Sequence, residues 1–580
     1  MIKNSILKKV SLVILLITMA GCIPMSEAAV DKKAASVAEK TIAQKEREKE
    51  KLAEERSKKK TKDYKLADEQ ILHLNGRDFY SLDPNYGYPS SFNLLNMIFP
   101  GLTRYDAESG DFLPGLAESW EYSEDMTTWT FTLYDDIAWV SYNDETKAVE
   151  QVLGEDGEPA YVTSFDVKTR ILNILSFYNY ASNSYILRSI VGSEEYYDYG
   201  DESVLGIETP SDTELIIHLN EPDSGLLAYT ELTAFSAYPS WFGTDGFGEF
   251  VFYGPYIPTT SFEVAEEVNS ITIVKNPFWM GTGGLNEPYL DEIVFDLSDD
   301  TNVLEAFREN KLDAVQLTDE EYQLALEDAN LSQYLMDANN NFGYYLFFYN
   351  TDVEPFNDLE VRADIAMMVD RDALLSTLPE LNGISLTSII PDFMREESFS
   401  GALTGSVDST MVEKYGLPDF DFICFESDTC TSIYEVLNAQ IVDQSGWYFQ
   451  LWGKTYSSLF DEMEEGVMYN PGVLLMAFSI DSNDQMSLWD NLIDSIAFVD
   501  QQNNRWVNEE FEYLYEQAKL EPDKEKRAGL FNQMEEILIN GDVMVIPLFW
   551  GQEHWLVRFD VGADIQPLYQ QLENWARIIP

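Results

Sequence analysis

The chain has 580 residues, of which 45% are hydrophobic and 13% aromatic, and its formal net charge at pH 7 is −65. A chain of this length exceeds what one hydrophobic core usually holds, so we expect at least two lobes. The strong negative charge argues against binding to nucleic acid, because phosphate groups need basic residues opposite them.

The N-terminus has the pattern of an export signal. A short basic segment, 1–9, precedes an apolar run over 10–19, which is too short to span a bilayer, since that takes roughly 20 apolar residues. The sequence Ala20-Gly21-Cys22 follows directly and resembles a lipobox, in which the thiol of Cys22 takes a diacylglycerol group. An ordinary signal peptide with an incidental cysteine is the alternative. We predict a lipoprotein signal peptide over 1–21 and lipidation at Cys22.

The next segment, 22–66, is predicted to be a lipid-anchored, charged stalk. Lys, Glu, Ala and Arg dominate it, so it has too few large apolar residues to bury a face. A coiled coil is the alternative, but no repeated apolar seam runs through the segment. Residues 1–65 hold 16 basic and 9 acidic residues, which leaves 21 basic and 93 acidic residues, a net charge of −72, for the remaining 515. Such a field tolerates cationic or zwitterionic ligands, although an adaptation for solubility explains it more simply.

Cysteine and histidine usage gives little support to a metal site. If Cys22 is lipidated, Cys424 and Cys430 remain, and they could close a small loop by a disulfide or stay as two free thiols. The three histidines are widely spaced, at His73, His218 and His554. No HExxH or CxxC pattern occurs, so we expect neither a metal nor another cofactor.

Segments typical of strands and of helices alternate along the rest of the chain. Apolar residues in alternation predict strands, and apolar residues at helical spacing predict helices. The predicted strands are 129–133, 214–219 and 271–274, and the predicted helices are 303–308, 361–368 and 511–520. This interleaving favours an α/β architecture.

Several single residues also have a structural interpretation. Thr163 with Asp166, and the pair Asn357-Asp358, could satisfy the free amides at two helix starts. The acidic segment 141–160 is predicted to form a surface hairpin without a function of its own. Four tryptophans are predicted to lie in the core rather than to contact a ligand; they are Trp120, Trp129, Trp139 and Trp279.

A series of short motifs resembles the oligopeptide- and dipeptide-binding proteins of bacterial ABC importers, the extracellular solute-binding proteins of family 5. The motifs occur in the order of the family, and they are 81–84 (SLDP), 99–105 (FPGLTRY), 114–121 (PGLAESWE), 129–133, 162–167, 253–256 (YGPY), 275–279 (KNPFW), 311–313 and 344–372. Any one of them alone is a weak signal, but their common order across about 500 residues makes chance resemblance improbable.

The resemblance implies an α/β, two-lobe, periplasmic-binding-protein-like fold of type II, in the large peptide-binding class with an extra subdomain in the first lobe. Lobe I is then expected over 67–340, with the inserted subdomain at 103–207. Lobe II is expected over 341–545, and 546–580 returns to lobe I.

The resemblance also implies where a peptide binds. The α-ammonium group is constant among peptides, and it needs a carboxylate in a largely dehydrated cleft. In peptide-binding relatives this carboxylate follows a strand in the pattern W-x-A-D. The matching segment here is LLMAFSIDSND, which assigns Asp481 to the ammonium and places Phe478 and Ser479 beside it. Asp481 could instead cap the following helix or belong to a partial calcium loop, which lacks the expected glycine and distal glutamate.

Two further segments are expected to line the cleft by the same resemblance. Tyr86, Gly87 and Tyr88 would run along the ligand backbone, and Tyr456 would make an aromatic contact, with simple packing as the alternative for each. Relatives specialised for short peptides carry basic residues near positions 463 and 475, and this chain has none there. Longer peptides are therefore favoured.

The implied protein is not an enzyme. It is a lipid-anchored substrate-binding protein on the extracytoplasmic face of the cell membrane, which captures oligopeptides by hinge closure and delivers them to an ABC transporter permease. Its expected partners are the peptide, the permease with its ATPase, and the membrane through Cys22, and we expect a monomer that binds no nucleic acid. The alternatives are the same fold with a non-peptide solute, such as a metal chelate or a sugar, and a surface hydrolase. For a hydrolase we find no GxSxG and no catalytic Cys/His signature.

Overall fold

The structure of the protein is a computed structural model. The structure describes residues 65–76, 82, 84, 89–106, 110–179, 181, 184–242, 251–259, 269–279, 288–298, 301–395, 399, 401, 403, 414–416, 420–455, 458–459, 470–480, 482, 484–500, 506–562 and 572–579. The predicted signal peptide, the lipidation site Cys22 and the stalk up to residue 64 lie outside the described residues.

The chain forms 21 strands within the described residues. They are β1 Ile71–Asn75, β2 Thr103–Asp106, β3 Asp111–Pro114, β4 Ala117–Tyr122, β5 Thr128–Leu133, β6 Val140–Asn143, β7 Ala148–Gln151, β8 Ile207–Ser211, β9 Glu214–His218, β10 Tyr256–Pro258, β11 Ser270–Lys275, β12 Glu292–Asp296, β13 Ala314–Leu317, β14 Leu335–Tyr349, β15 Gly383–Ser385, β16 Phe420–Phe425, β17 Phe449–Lys454, β18 Gly472–Ser479, β19 Val545–Val557, β20 Val561–Gly562 and β21 Ala576–Arg577.

Helices alternate with these strands. The α-helices are α1 Pro89–Ile98, α2 Ser164–Leu175, α3 Ser193–Tyr199, α4 Leu226–Tyr229, α5 Val303–Arg308, α6 Asp319–Glu327, α7 Leu359–Met368, α8 Arg371–Thr377, α9 Asp428–Ser445, α10 Gln485–Asp500, α11 Glu509–Leu520 and α12 Lys524–Glu536. The α/β architecture expected from the sequence is therefore confirmed. Within the described residues, none of the helices has the length and apolarity that a membrane crossing needs.

One large mixed sheet contains most of the strands. Its order is β10-β11-β12-β1-β13-β19-β14-β18-β16-β17, with β15 paired to β19. Strand β1 is parallel to both of its neighbours, and β16 is parallel to β17 and β18, whereas β14 runs antiparallel to β18 and β19. The parallel pairs need covering helices on the sheet faces, which agrees with the alternation of strands and helices along the chain.

Two long strands, β14 and β19, connect the two ends of this sheet. The first part of β14 pairs with the last part of β19, beside β13, and the last part of β14 pairs with the first part of β19, beside β18. The register between the two strands shifts between Asn339 and Gly343. Each long strand therefore has different neighbouring strands on the two sides of the irregularity in their pairing.

The apolar run of β14 is buried on both faces. Tyr345, Phe347 and Tyr349 belong to one hydrophobic cluster, and Leu346 and Phe348 belong to another on the opposite face. A strand covered on both faces has no polar alternation, because neither side meets water. This explains the continuous aromatic and apolar sequence YYLFFY.

In a separate antiparallel sheet, β4-β5-β9-β8, strands β4 and β5 lie within the predicted inserted subdomain 103–207, whereas β9 lies beyond its predicted end. Helix α2 beside it begins where predicted, because the carboxylate of Asp166 accepts a hydrogen bond of 2.8 Å from the amide of Thr163. The acidic segment 141–160 forms the predicted hairpin, in which β6 pairs with β7.

The core predictions are mostly confirmed. Trp129, Trp139 and Trp279 are buried in the largest hydrophobic cluster, and Trp120 packs against it while partly exposed. Asp358 caps α7 as predicted, since its carboxylate accepts a hydrogen bond of 3.0 Å from the amide of Glu360.

Candidate functional site

The predicted ammonium-binding segment lies where β18 ends. Phe478 and Ser479 are the last residues of β18 and pair with Gly343 and Phe342 of β14. The side chain of Phe478 points into the core, with its ring 5.3 Å from that of Phe347, and the residue is only 5% exposed. Ser479 is exposed. Of the two residues, only Ser479 therefore offers its side chain to solvent.

The residues after β18 are held by several hydrogen bonds. The amide of Ile480 donates to the carbonyl of Asn341 at 2.8 Å, and the side-chain amide of Asn491 donates to the carbonyl of Ser479 at 3.1 Å. Ser482 is fully buried, and its hydroxyl accepts a hydrogen bond of 3.3 Å from the amide of Asp484. We call the described residues of this segment, Ile480, Ser482 and Asp484, the β18 turn.

The turn leads into helix α10, whose first amides are satisfied by Asp484. Its Oδ1 accepts a hydrogen bond of 2.8 Å from the amide of Met486, and its carbonyl accepts one of 3.2 Å from the amide of Ser487. Side-chain oxygens of aspartate at this position satisfy amides that have no partner within the helix. Asp484 therefore caps α10.

The other carboxylate oxygen of Asp484 pairs with Arg527 of helix α12. Arg527 Nη2 donates to Asp484 Oδ2 at 2.5 Å, and the side chains of Arg527 and Asp484 are only 6% and 12% exposed. Such a shielded, charge-assisted contact is stronger than the same contact in water. The start of α10 is therefore tied to α12 through Asp484.

Arg527 also contacts a segment far earlier in the sequence. Its Nη1 donates to the carbonyl and to the hydroxyl of Ser224 at 3.1 and 3.0 Å. Ser224 in turn donates from its amide to the carbonyl of Lys519 at 2.9 Å, and from its hydroxyl to the carbonyl of Ala518 at 2.8 Å. Ser224 belongs to predicted lobe I, whereas Arg527 and Lys519 belong to predicted lobe II.

Three basic residues near the junction of α11 and α12 make polar contacts between predicted lobe II and predicted lobe I. Lys519 pairs with Glu221, Lys524 pairs with Asp111 at 2.9 Å, and Arg527 reaches Ser224. We call these three contacts, together with the Arg527–Asp484 pair, the clasp. Beside it, Asp490 of α10 accepts hydrogen bonds from the hydroxyls of Tyr229 at 3.1 Å and Tyr515 at 2.7 Å.

Several carboxylates beside the clasp affect the pKa of Tyr105. Burial, followed by the carboxylates of Glu231, Asp484, Asp106 and Asp111, raises the pKa of Tyr105 to about 12. These carboxylates raise the pKa of Tyr105 because they favour the neutral, protonated phenol over the phenolate.

Asp223 lies in the same surroundings. Its pKa is raised to about 6, and burial is the largest cause. A hydrogen bond from the Gly225 amide lowers this pKa, the carboxylate of Asp484 raises it, and Arg527 and Lys519 lower it. The cost of removing the carboxylate from water therefore exceeds the stabilisation that its amide and basic neighbours provide.

Most of the site residues predicted from the family resemblance lie outside the described residues. These are Asp481, Tyr86, Gly87, Tyr88 and Tyr456, together with the lipidation site Cys22. Their predicted roles stay predictions. Arg527, Ser224 and Asp490 were not predicted from the sequence, and no local pattern marks them. Asp484 could have been found, because an aspartate just before an apolar helical segment is a typical cap.

Two open questions about cysteine and histidine have structural answers. Cys424 of β16 and Cys430 of α9 form a disulfide, with Cα atoms 6.2 Å apart. Each histidine pairs with a different carboxylate: His73 with Asp313, His218 with Glu208 and His554 with Asp337. In the part of the chain that the structure describes, no group of three or more metal-binding side chains comes together.

Comparison with known proteins identifies the class. Residues 111–400, half of the chain, match the family described as bacterial extracellular solute-binding proteins, family 5 Middle. The chain therefore belongs to the bacterial extracellular solute-binding proteins of family 5, as the motif order indicated. Members of this family are solute-binding proteins rather than enzymes.

Individual relatives agree with this assignment. The dipeptide-binding protein DppE of Bacillus subtilis is 24% identical over 531 residues, which cover 84% of this chain and 88% of DppE. The oligopeptide-binding protein OppA of the same organism is 23% identical, with coverage of 84% and 88%. Among solved structures, the murein tripeptide binding protein MppA in its unliganded open form has a TM-score of 0.73 at 18% identity, covering 90% of this chain and 99% of MppA. The two-lobe α/β fold is thus confirmed.

Proposed function

We propose that the protein is a lipid-anchored, extracytoplasmic binding protein that captures oligopeptides and delivers them to an ABC permease with its ATPase. Family membership supports the binding role, and the relatives named for dipeptides and oligopeptides support a peptide as the solute. The lipobox-like sequence at Cys22 supports the anchor.

The position of the β18 turn is the observation that carries the peptide assignment. The turn follows the strand that matches the family's ammonium-binding pattern, and it lies beside a contact between predicted lobe I and predicted lobe II. A ligand group held there can interact with both lobes at once.

The capping role of Asp484 gives further support. Asp481 was expected either to bind the α-ammonium or to cap the following helix, and the first amides of α10 already have Asp484 as their partner. This cap supports the ammonium role of Asp481 over the capping alternative. A loop-turning role and a partial calcium loop stay as the other interpretations of Asp481.

Hinge closure is supported by β14 and β19. Strand β14 runs from predicted lobe I into predicted lobe II, β19 begins where the chain returns to predicted lobe I, and the pairing of the two strands is irregular between Asn339 and Gly343. A change of backbone angles at such an irregularity would move one part against the other with little loss of hydrogen bonding. A ligand that contacts both parts would then favour the closed state.

Mass spectrometry of compounds that co-purify with the full chain tests this function. We expect peptides with free amino termini, and longer peptides should outnumber dipeptides, because positions 463 and 475 carry no basic residue to bind a nearby carboxylate. A metal chelate or a sugar as the bound compound would contradict the peptide assignment while leaving the solute-binding fold intact.

A further inference from the structure

The segment 221–225 has the sequence EPDSG, which is typical of a turn, and it contacts helices of predicted lobe II. Proline, aspartate and glycine favour turns, and the carboxylate of Asp223 accepts a hydrogen bond of 2.7 Å from the amide of Gly225. The turn lies between β9 and α4, so it belongs to predicted lobe I. Ser224 in this turn is only 6% exposed, because α11 and α12 cover it.

Ser224 supplies hydrogen bonds that the end of α11 needs. The carbonyls in the last turn of a helix have no partner within that helix. The carbonyl of Ala518 accepts a hydrogen bond of 2.8 Å from the hydroxyl of Ser224, besides one from the amide of Glu521, and the carbonyl of Lys519 accepts one of 2.9 Å from the amide of Ser224. Arg527 in turn donates to the carbonyl and the hydroxyl of Ser224. Predicted lobe I therefore caps the C-terminus of a helix in predicted lobe II.

The apolar contact beside Ser224 is also close. Gly225 has no side chain, and a Cβ atom there would lie 2.9 Å from Cβ of Met486, in the first turn of α10. Met486 is only 2% exposed. Close packing of this kind is typical of protein interiors, where neighbouring groups stay together.

We propose that the clasp is a fixed pivot, which stays intact while the two predicted lobes rotate against each other. This proposal rests on the hinge closure of the proposed function. The alternative is a latch, which would break whenever the lobes open. Breaking the clasp would remove Ser224 from the shielded Arg527–Asp484 pair and from the last carbonyls of α11. Since leaving such polar groups without their partners is unfavourable, the contacts favour a pivot over a latch.

A pivot at the clasp restricts how the predicted lobes can move. Strands β14 and β19 connect the lobes at the irregular pairing between Asn339 and Gly343, and the clasp holds them together at α10, α11 and α12. Two rigid bodies that are held at two separate places can only rotate about the line through both places. Hinge closure is then a rotation about the line from the irregular pairing to the clasp.

Hydrogen exchange of the full chain tests the pivot without any ligand. The amide of Ser224 exchanges only when its hydrogen bond to the carbonyl of Lys519 opens. Its protection is compared with that of the amides of Leu514 and Phe531, which are buried residues in the middle of α11 and α12. For a fixed pivot we expect the protection factors to agree within about tenfold. Protection of Ser224 that is lower by more than this would show that the clasp opens separately from the helices, and would overturn the proposal.

A disulfide across the clasp tests the same proposal through binding. The variant combines Gly225→Cys with Met486→Cys, because a Cβ atom at position 225 would lie 2.9 Å from that of Met486 and a small shift gives the separation of about 3.8 Å that a disulfide needs. The probe is a tetra- or pentapeptide that the wild-type chain retains from a synthetic mixture, and calorimetry measures its affinity for the oxidised and the reduced variant. The wild type under the same two conditions is the control for the disulfide of Cys424 with Cys430.

A fixed pivot and a latch predict different affinities in this test. A lock on a contact that never opens prevents no step of binding, so we expect the oxidised and the reduced variant to agree within about threefold. A lock on a latch would hold the lobes in one state, and the affinity of the oxidised variant would then change by on the order of tenfold or more. Any difference larger than the threefold range that the wild-type control does not share would overturn the pivot.

The outcomes separate this proposal from the proposed function. If the wild type retains no peptide, the peptide assignment fails, and the hydrogen exchange of Ser224 still decides between pivot and latch. If the wild type binds a peptide and the oxidised variant does not bind it equally well, the pivot is overturned and the peptide assignment stands. Thermal unfolding identifies a loss of folding in the cysteine variant, and the exchange of the wild-type chain provides the test in that case.

Discussion

Asp223 has a pKa of about 6, because burial and the nearby carboxylate of Asp484 outweigh the effects of the Gly225 amide, Arg527 and Lys519. In the unfolded chain an aspartate titrates near its ordinary value, about 4. Between these two pH values the folded protein holds more protons at this site than the unfolded chain does. The contribution of Asp223 to stability is therefore most favourable below about pH 4 and falls as the pH rises through 6.

Asp223→Asn should remove this dependence, because the amide stays neutral at every pH and can still accept the hydrogen bond from Gly225. We expect the unfolding free energy of the variant, relative to the wild type, to increase by about 2 kcal/mol between pH 4 and pH 7. Denaturant unfolding at several pH values measures this difference. Asp223 does not carry the raised pKa if the two proteins show parallel pH profiles.

Asp481 is the residue on which the peptide assignment makes its sharpest prediction. Asp481→Asn keeps the shape of the side chain and removes its charge, so the α-ammonium of a bound peptide would lose its counter-charge. That loss typically costs about 2–5 kcal/mol in a buried pair, which corresponds to weaker binding by roughly 30-fold or more.

N-acetylation of the peptide removes the same charge pair from the ligand side. Its effect should be large on the wild type and small on Asp481→Asn, because both changes break one interaction. Calorimetry of both proteins with free and acetylated peptides gives the complete cycle. Simple additivity of the two effects would show that Asp481 does not hold the ammonium.

Asp481 and the pair of Asp484 with Arg527 differ in how far the sequence could indicate them. Asp481 can be proposed from a local pattern, since the residues that define it are neighbours in the chain. The pair of Asp484 with Arg527 could not be predicted, because 43 positions separate the two residues and many other carboxylates compete as partners. Ser224, which is 303 positions from Arg527, has no feature in the sequence that distinguishes it from other serines.

At the scale of the elements, β14 and β19 define where bending is expected. Gly343 of β14 pairs with Trp550 of β19, and a Cβ atom at Gly343 would lie 2.4 Å from the Trp550 ring. Trp550 is fully buried, so it has little room to move. Only glycine allows the two strands to approach this closely at the irregularity.

Gly343→Ala should therefore destabilise the protein by about 1–3 kcal/mol, as overpacking of a close-packed core usually does. If β14 bends here, the variant should also bind peptide more weakly. Gly529→Ala is the matched control, since Gly529 lies inside α12 with nothing within 4 Å of its Cβ position, where alanine is expected to stabilise the helix slightly. Thermal unfolding of both variants measures the contrast, and equal stability of Gly343→Ala and the wild type would contradict the close approach.

Helices and strands whose apolar residues recur at a regular spacing could be predicted from the sequence. The elements that pack against them could not. Helix α5 occupies the predicted 303–308, and β5, β9 and β11 match their predictions within one residue at each end. The spacing of apolar residues indicates which face of a segment is buried. It does not indicate which other segment packs against that face. The pairing of β14 with β19, about 200 residues later, depends on long-range packing that no local pattern describes.

At the scale of the whole molecule, acidic residues far outnumber basic ones. Beyond the stalk the chain has 21 basic residues against 93 acidic ones, and three of these basic residues form the clasp. Contacts at the surface are weakened by salt, whereas the shielded Arg527–Asp484 pair is weakened much less. The clasp therefore combines exposed contacts, such as Lys524–Asp111, with one contact that persists at high ionic strength.

The proposed anchor makes a prediction about the location of the whole protein. Two acyl chains of a diacylglycerol on Cys22 would hold the chain stably at a membrane, since each buried CH₂ contributes about 0.8 kcal/mol. Cys22→Ser should remove that attachment, so we expect the variant in the soluble fraction after cell lysis and the wild type with the membranes. Replacing Cys424 and Cys430 by serine removes the disulfide instead, and should leave membrane attachment unchanged. If Cys22→Ser stays with the membranes after its signal peptide has been cleaved, the prediction of a lipid anchor at this residue is wrong. The proposal of peptide binding would be unaffected, because binding depends on the lobes.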